Sequence, residues 1–331
     1  MVNFADLVDL AAERLGGAAI LANDEFFAAK ENLLKASAPV WREGEYTERG
    51  KWMDGWETRR RRSPGHDWCI VRLGLPGIIH GIVVDTSWFT GNYPESCSIE
   101  ACAIEGVPQP AKLAEDDVAW REILPRSTLE GNTPNAFSID APERFTHLRL
   151  NIFPDGGVAR LRVHGVVMPD WAERARPGVE VDLGALENGG LAVAASDMFY
   201  GNRQNLLLPG PALGMSDGWE TKRRRGPGND WVIVRLGARA ELRRIVVDTS
   251  HCKGNAPGAC SLDACDTTDA VPSSDARWVE LVARTRLEPH TVHELGGEVR
   301  DVGAITHVRL NVFPDGGVAR LRLFGATVPP D

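Results

Sequence analysis

Two tandem antiparallel β-sandwiches, one in each half of the chain, are the fold class this sequence predicts. Three observations carry the prediction. The decapeptide FPDGGVARLR stands at Phe153–Arg162 and again, unchanged, at Phe313–Arg322. A second phrase, DGWETRRRRSPGHDW from Asp54, returns as DGWETKRRRGPGNDW from Asp217, and 23 of the 34 positions from Asp54 to Ser87 are identical to Asp217 through Ser250 at a constant offset of 163. Beyond residue 35 the apolar residues form short β-rich runs between turns, with almost no helical period; that pattern packs sheet on sheet, as a sandwich or jelly roll.

A period this long is no solenoid unit of ~20–50 residues, so each copy is a domain. The 331 residues also suit two domains. We place the first repeat at 1–168, a linker at 169–181 and the second repeat at 182–331.

Taken in order, residues 3–15 (NFADLVDLAAERL) read as a short helix that Gly16 and Gly17 end. The halves then align, with Asp24, Phe26 and Asn32 opposite Asp197, Phe199 and Asn205. About ten extra residues around REGEYTERGK form a charged insertion in the first half alone. WCIVRLG from Trp68 and WVIVRLG from Trp231 are apolar on both faces, as interior strands are. GIVVDTS from Gly81 with RIVVDTS from Arg244, and SCSIEAC from Ser96 with ACSLDAC from Ala259, read as further strands. In the closing hairpin Leu148, Leu150 and Ile152 share one face, and His147, Arg149 and Asn151 the other. PDGG supplies the turn. On the return strand Leu161 and Val163 point inward, and Arg160, Arg162 and His164 outward.

Composition narrows the function. A net charge of -9 argues against nucleic acid, whose phosphates need a positive field. No charged-then-apolar leader and no apolar run near the ~18 residues of a membrane span are present, so the expectation is a cytoplasmic protein with no membrane partner. The six cysteines form no CxxC pair and read as reduced, buried thiols. No HxH or HExxH pattern suggests a metal, and no GxGxxG, P-loop or GxSxG element suggests a nucleotide or serine-hydrolase chemistry, so no cofactor is expected.

The order DGW…T…W followed by an apolar strand, I-V-V-D and a closing RL-rich hairpin is similar to the galactose-binding-like jelly roll. More specifically, the duplicated DGWETRRRR, HDW or NDW, VVDTS, GN and FPDGGVARLR phrases, with DLAAERLGG and NDEFFAAKENLL, resemble the allantoicase family over nearly the whole chain. The resemblance implies a homo-oligomeric hydrolase of carbon–nitrogen bonds in linear amidines. Its substrate would be the small molecule allantoate, cleaved to ureidoglycolate and urea in allantoin degradation, a branch of purine nitrogen metabolism. The alternative is a non-catalytic tandem carbohydrate- or ligand-binding module, or a family member that has lost catalysis.

Allantoate carries a carboxylate and two ureido groups on one carbon. Urea is a poor anionic leaving group, so an acid should protonate its nitrogen while a base activates water or the remaining ureido nitrogen. A guanidinium fork should hold the carboxylate. The acid/base candidates are Glu57 and Glu220, then His147 and His307, then Asp85 and Asp248; each also reads structurally, as an ion-pair partner, a polar sheet face or a strand end. Substrate-binding candidates are Arg60 and Arg223, Arg149 and Arg309, Asn151 and Asn311. In an extended run Arg60 and Arg62 point one way and Arg59 and Arg61 the other, so at most half of them reach one ligand. Asp54, Asp217, Asp155 and Asp315 read as turn residues. His66 stands opposite Asn229 and Trp88 opposite His251, so the halves are not chemically equivalent, and the sequence leaves open which of them holds the site.

Overall fold

The computed structural model describes residues 4–115, 117–174, 179–273 and 275–328. Its chain separates into two compact units, Met1–Met168 and Pro169–Asp331. Of the linker expected over 169–181, residues 175–178 lie outside the described residues; Trp171–Arg174 is a single helical turn and Val181–Asp182 is a strand.

Each unit is all-β and is built on one 19-residue strand, Asp67–Asp85 in the first and Asp230–Asp248 in the second. The sequence suggested two strands in each of these stretches. Gly74, Pro76 and Gly77 lie mid-strand in the first unit, where turn-forming residues bend the ribbon without ending it. Its first half pairs with Ala18–Ala22 on one side and Arg144–Phe153 on the other, and the latter continues to Ser96–Cys102 and Arg121–Thr128. Its second half pairs with Arg160–Val167 and Pro134–Ser138. One strand therefore belongs to two antiparallel layers. The second unit repeats the scheme around Asp230–Asp248.

The core follows the period-2 pattern. Leu148, Leu150 and Ile152 from one layer, with Leu161, Val163, Ile82 and Val84 from the other, are fully buried. All six cysteines are free and buried.

Two expectations need correction. Of the helix expected over 3–15, residue 3 lies outside the described residues, and 4–15 is not one helix: short 3-10 turns at Phe4–Asp6 and Glu13–Leu15 flank a strand, Val8–Asp9, that pairs with Gly165 and His164. The Asp9 carboxylate accepts the backbone N–H groups of Ala11 and Val163, at 3.2 and 2.9 Å, which favours the edge pairing over a helical turn. Arg160, expected to face solvent, is only 1% exposed. Its guanidinium donates to the Ser37 carbonyl at 3.0 Å, the Asp54 carbonyl at 2.9 Å and the Asp54 carboxylate at 2.7 Å. Arg320 repeats this with Asp217 at 2.8 Å. The two repeated phrases are thus joined by an ion pair in each unit, buried in the first and, on the Asp217 side, partly exposed in the second. Burial alone would raise the Asp54 carboxyl, but the Arg160 hydrogen bond and charge hold it below the usual carboxylate range.

Candidate active site

The DGWET and PDGG phrases meet in a small ribbon in which Trp56 and Glu57 pair with Val158 and Gly157. Strand alternation sorts the side chains. Trp56 is fully buried, its indole N–H donating to the Asp24 carbonyl at 2.8 Å. Thr58 is also buried, and its hydroxyl accepts the Gly156 N–H at 3.1 Å. Glu57, between them, turns outward into a pocket of about 380 Å³.

Glu57 Oε1 accepts the side-chain N–H of Asn92 at 2.6 Å. Burial raises the Glu57 carboxyl above its ordinary value, and the Asn92 bond offsets this only in part. Phe27, Tyr93, Arg60 and Glu95 complete the wall, with Asp155 from the turn. Gly156 lets the turn approach. With φ +142°, it would bring a Cβ to 2.7 Å from the Pro94 nitrogen and 2.8 Å from the Asn92 carbonyl, so a side chain there would displace the loop that carries Asn92.

The arginine run alternates as its extended reading requires. Arg59 pairs with Asp24 at 2.6 Å and Arg61 with Asp67 at 2.6 Å. Arg60 faces the pocket, exposed, with no hydrogen bond or ion pair among the described residues. Asp155 uses one carboxylate oxygen to accept the Arg61 backbone N–H at 2.8 Å, tying the turn to the run.

Of the first-unit candidates, the pocket brings together Glu57 and Arg60. The others lie elsewhere. His147 is 1% exposed, its Nδ1 2.8 Å from the Thr146 hydroxyl and its Nε2 without a partner. Burial, with the Arg72 charge, holds its pKa below the usual value, so the ring is neutral at pH 7. His307 is pressed to about 4, chiefly by burial. Arg149 and Asn151 both bond the Glu100 carboxylate, at 2.7 and 2.9 Å, and Arg149 lies over the Trp120 ring. Arg309 and Asn311 do the same with Asp263 and Trp278. Asp85 and Asp248 accept the backbone N–H two residues on, from Ser87 and Ser250, at 2.8 and 2.7 Å, and so cap their strand ends.

The second unit differs at the equivalent place. Its Glu220 receives no bond from Asn255, whose side-chain nitrogen is buried without a partner. Tyr93, Glu95 and Phe89 have become Ala256, Gly258 and Cys252. Arg223 lines a different pocket, of about 350 Å³, with Lys222, Arg224 and Arg225. Glu95 was missed in the sequence because shared residues were sought. The contrast GNYPES against GNAPGA would have shown it as a carboxylate that one half alone carries.

Among the described residues no group of three or more His, Cys, Asp or Glu could hold a metal ion. No helix among them is long and apolar enough to cross a membrane.

The allantoicase repeat family model matches the chain twice, over residues 8–168 and 181–328. The chain is 49% identical over 329 residues to a probable allantoicase of Photobacterium profundum, covering 98% of each sequence. Against a probable allantoicase of Pseudomonas aeruginosa it is 47% identical over 332 residues, covering 99% of this chain and 98% of the relative. Among solved structures, the crystal structure of allantoicase from Saccharomyces cerevisiae is similar at 38% identity and a TM-score of 0.79, covering 96% of this chain and 92% of that one.

Proposed function

The chain belongs to the allantoicase family, and on that premise we propose that the Glu57 pocket of the first unit is where it works. The reaction is hydrolysis of allantoate to ureidoglycolate and urea. One observation carries the placement: a carboxyl raised by burial and a guanidinium without an internal partner line one small pocket. Its volume, about 380 Å³, is in the range of small-molecule clefts.

Arg60 holds the substrate carboxylate. Protonated Glu57 gives its proton to the leaving ureido nitrogen as the carbon–nitrogen bond breaks. Glu95 takes a proton from the attacking water, whose hydroxyl bonds to the central carbon. Ureidoglycolate and urea leave, and the proton on Glu95 returns to Glu57 through solvent. The second unit lacks this pairing because Gly258 stands where Glu95 does.

Urea release from allantoate by purified variants tests the placement. Arg60→Ala raises KM about ten- to a hundred-fold with a smaller effect on kcat, since one charge-assisted clamp is lost. An unchanged KM would remove Arg60 from the site.

Activity should also fall as pH rises through the raised Glu57 value, because the acid must carry its proton. Asn92→Leu removes the hydrogen bond that favours the charged form, so the alkaline limb of kcat/KM moves to higher pH. A limb that stays in place or moves down would contradict the assignment. The stability linkage has the same sense. A folded value above the unfolded one means that Glu57 stabilises the fold below the ordinary glutamate value, and that this contribution is lost as pH rises through the raised one.

The reading extends to a cytoplasmic, homo-oligomeric enzyme. Six buried thiols suit a reducing compartment, and the family resemblance supports the oligomer.

A further inference from the structure

We propose that the second unit carries a binding site for a small doubly charged oxyanion, of the class of phosphate or a short dicarboxylate. Its pocket of about 350 Å³ is walled by the run Lys222–Arg225 and by Asp197 and Asp230. Both carboxylates are already satisfied. Asp197 pairs with Lys222 Nζ at 3.3 Å and accepts the backbone N–H groups of Phe199 and Lys222 at 3.0 and 2.8 Å. Asp230 pairs with Arg224 and accepts the Ser196 hydroxyl at 3.0 Å.

Arg223 and Arg225 are exposed and make no hydrogen bond or ion pair among the described residues. Four cationic side chains against two carboxylates leave two positive charges in excess. On a chain of net charge -9 such an excess stands out locally and draws anions to it. Two guanidinium forks suit an anion with oxygens on two sides. The corresponding arginine of the first unit, Arg60, faces a pocket with Glu57 and Glu95, neither of them ion-paired among the described residues. Arg223 faces one whose carboxylates are both neutralised, so the second site holds an anion and has no group placed to move a proton.

Isothermal titration of the full chain, at low ionic strength, with inorganic phosphate and separately with malonate tests this. The expected result is saturable binding of at least one of them at one equivalent per chain, weakened about tenfold or more by Arg223→Ala and by Arg225→Ala and unaffected by Arg60→Ala. Phosphate binding alone assigns the site to a tetrahedral oxyanion, malonate binding alone to a dicarboxylate, and binding of both to dianions generally. No saturable binding of either probe, binding that both variants retain, or binding lost in Arg60→Ala overturns the proposal. The titration reads no turnover, so its failure leaves the hydrolytic site untouched.

Discussion

Replacing Glu57 by Gln is expected to lower kcat for urea release about 10²- to 10⁴-fold, the usual contribution of a positioned general acid. Glu220→Gln should leave kcat essentially unchanged. The contrast is steep because the two glutamates share a sequence phrase and not an environment. Glu57 is raised by burial, is held by Asn92 at 2.6 Å, and lines a pocket with Arg60 and Glu95. At Glu220 the Asn255 amide makes no such bond, and Gly258 stands in the place of Glu95. Gln keeps the size of the side chain and removes the proton donor, so KM and the melting temperature should barely move. Equal losses from the two variants would put a site in both units. No loss from either would exclude both glutamates from the chemistry.

The second large effect falls on stability. Arg160→Ala takes from the buried Asp54 carboxylate the closer of its two cations, at 2.7 Å, leaving Lys35 at 3.3 Å, and breaking such a buried pair typically costs about 3–5 kcal/mol. For a unit of this size the melting transition should drop by roughly 10 °C. Calorimetry of the intact chain should show the loss in one transition, and Arg320→Ala should shift another. Removing both charges, with Arg160→Met and Asp54→Asn, should recover part of the loss, because no unpaired buried charge remains. A single variant that melts like the parent would mean that the pair contributes nothing.

Much of this was legible in the sequence because strand geometry has a period of two. Alternation alone separated Arg60 from its ion-paired neighbours Arg59 and Arg61, and put Leu148, Leu150 and Ile152 in the core. What alternation cannot report is the cover over a face. Arg160 does point away from the sandwich interior, but Ser37 and Asp54, distant in sequence, close over it. His147 reads as a polar-face residue and is nonetheless buried. The Gly74–Gly77 stretch reads as a stop and is a bend: the strand ladders lapse between Arg72 and Gly77 and resume on its far side, and within the gap the Gly74 and Leu75 N–H groups donate to the Leu10 carbonyl. Glu95 escaped for another reason: duplication highlights what both copies retain, while Glu95 lines the Glu57 pocket in one copy alone and is Gly258 in the other.

The 19-residue ribbon shared by both layers of each unit has a cooperative consequence. Neither layer can peel off and leave the other intact, since peeling would unzip a common member. Amides at its two ends, such as those of Ile70 and Val84, should therefore exchange with solvent only through the same global opening. The ribbon that carries Glu57 rests on a platform that is either fully assembled or absent, and partial melting gives no half-formed pocket.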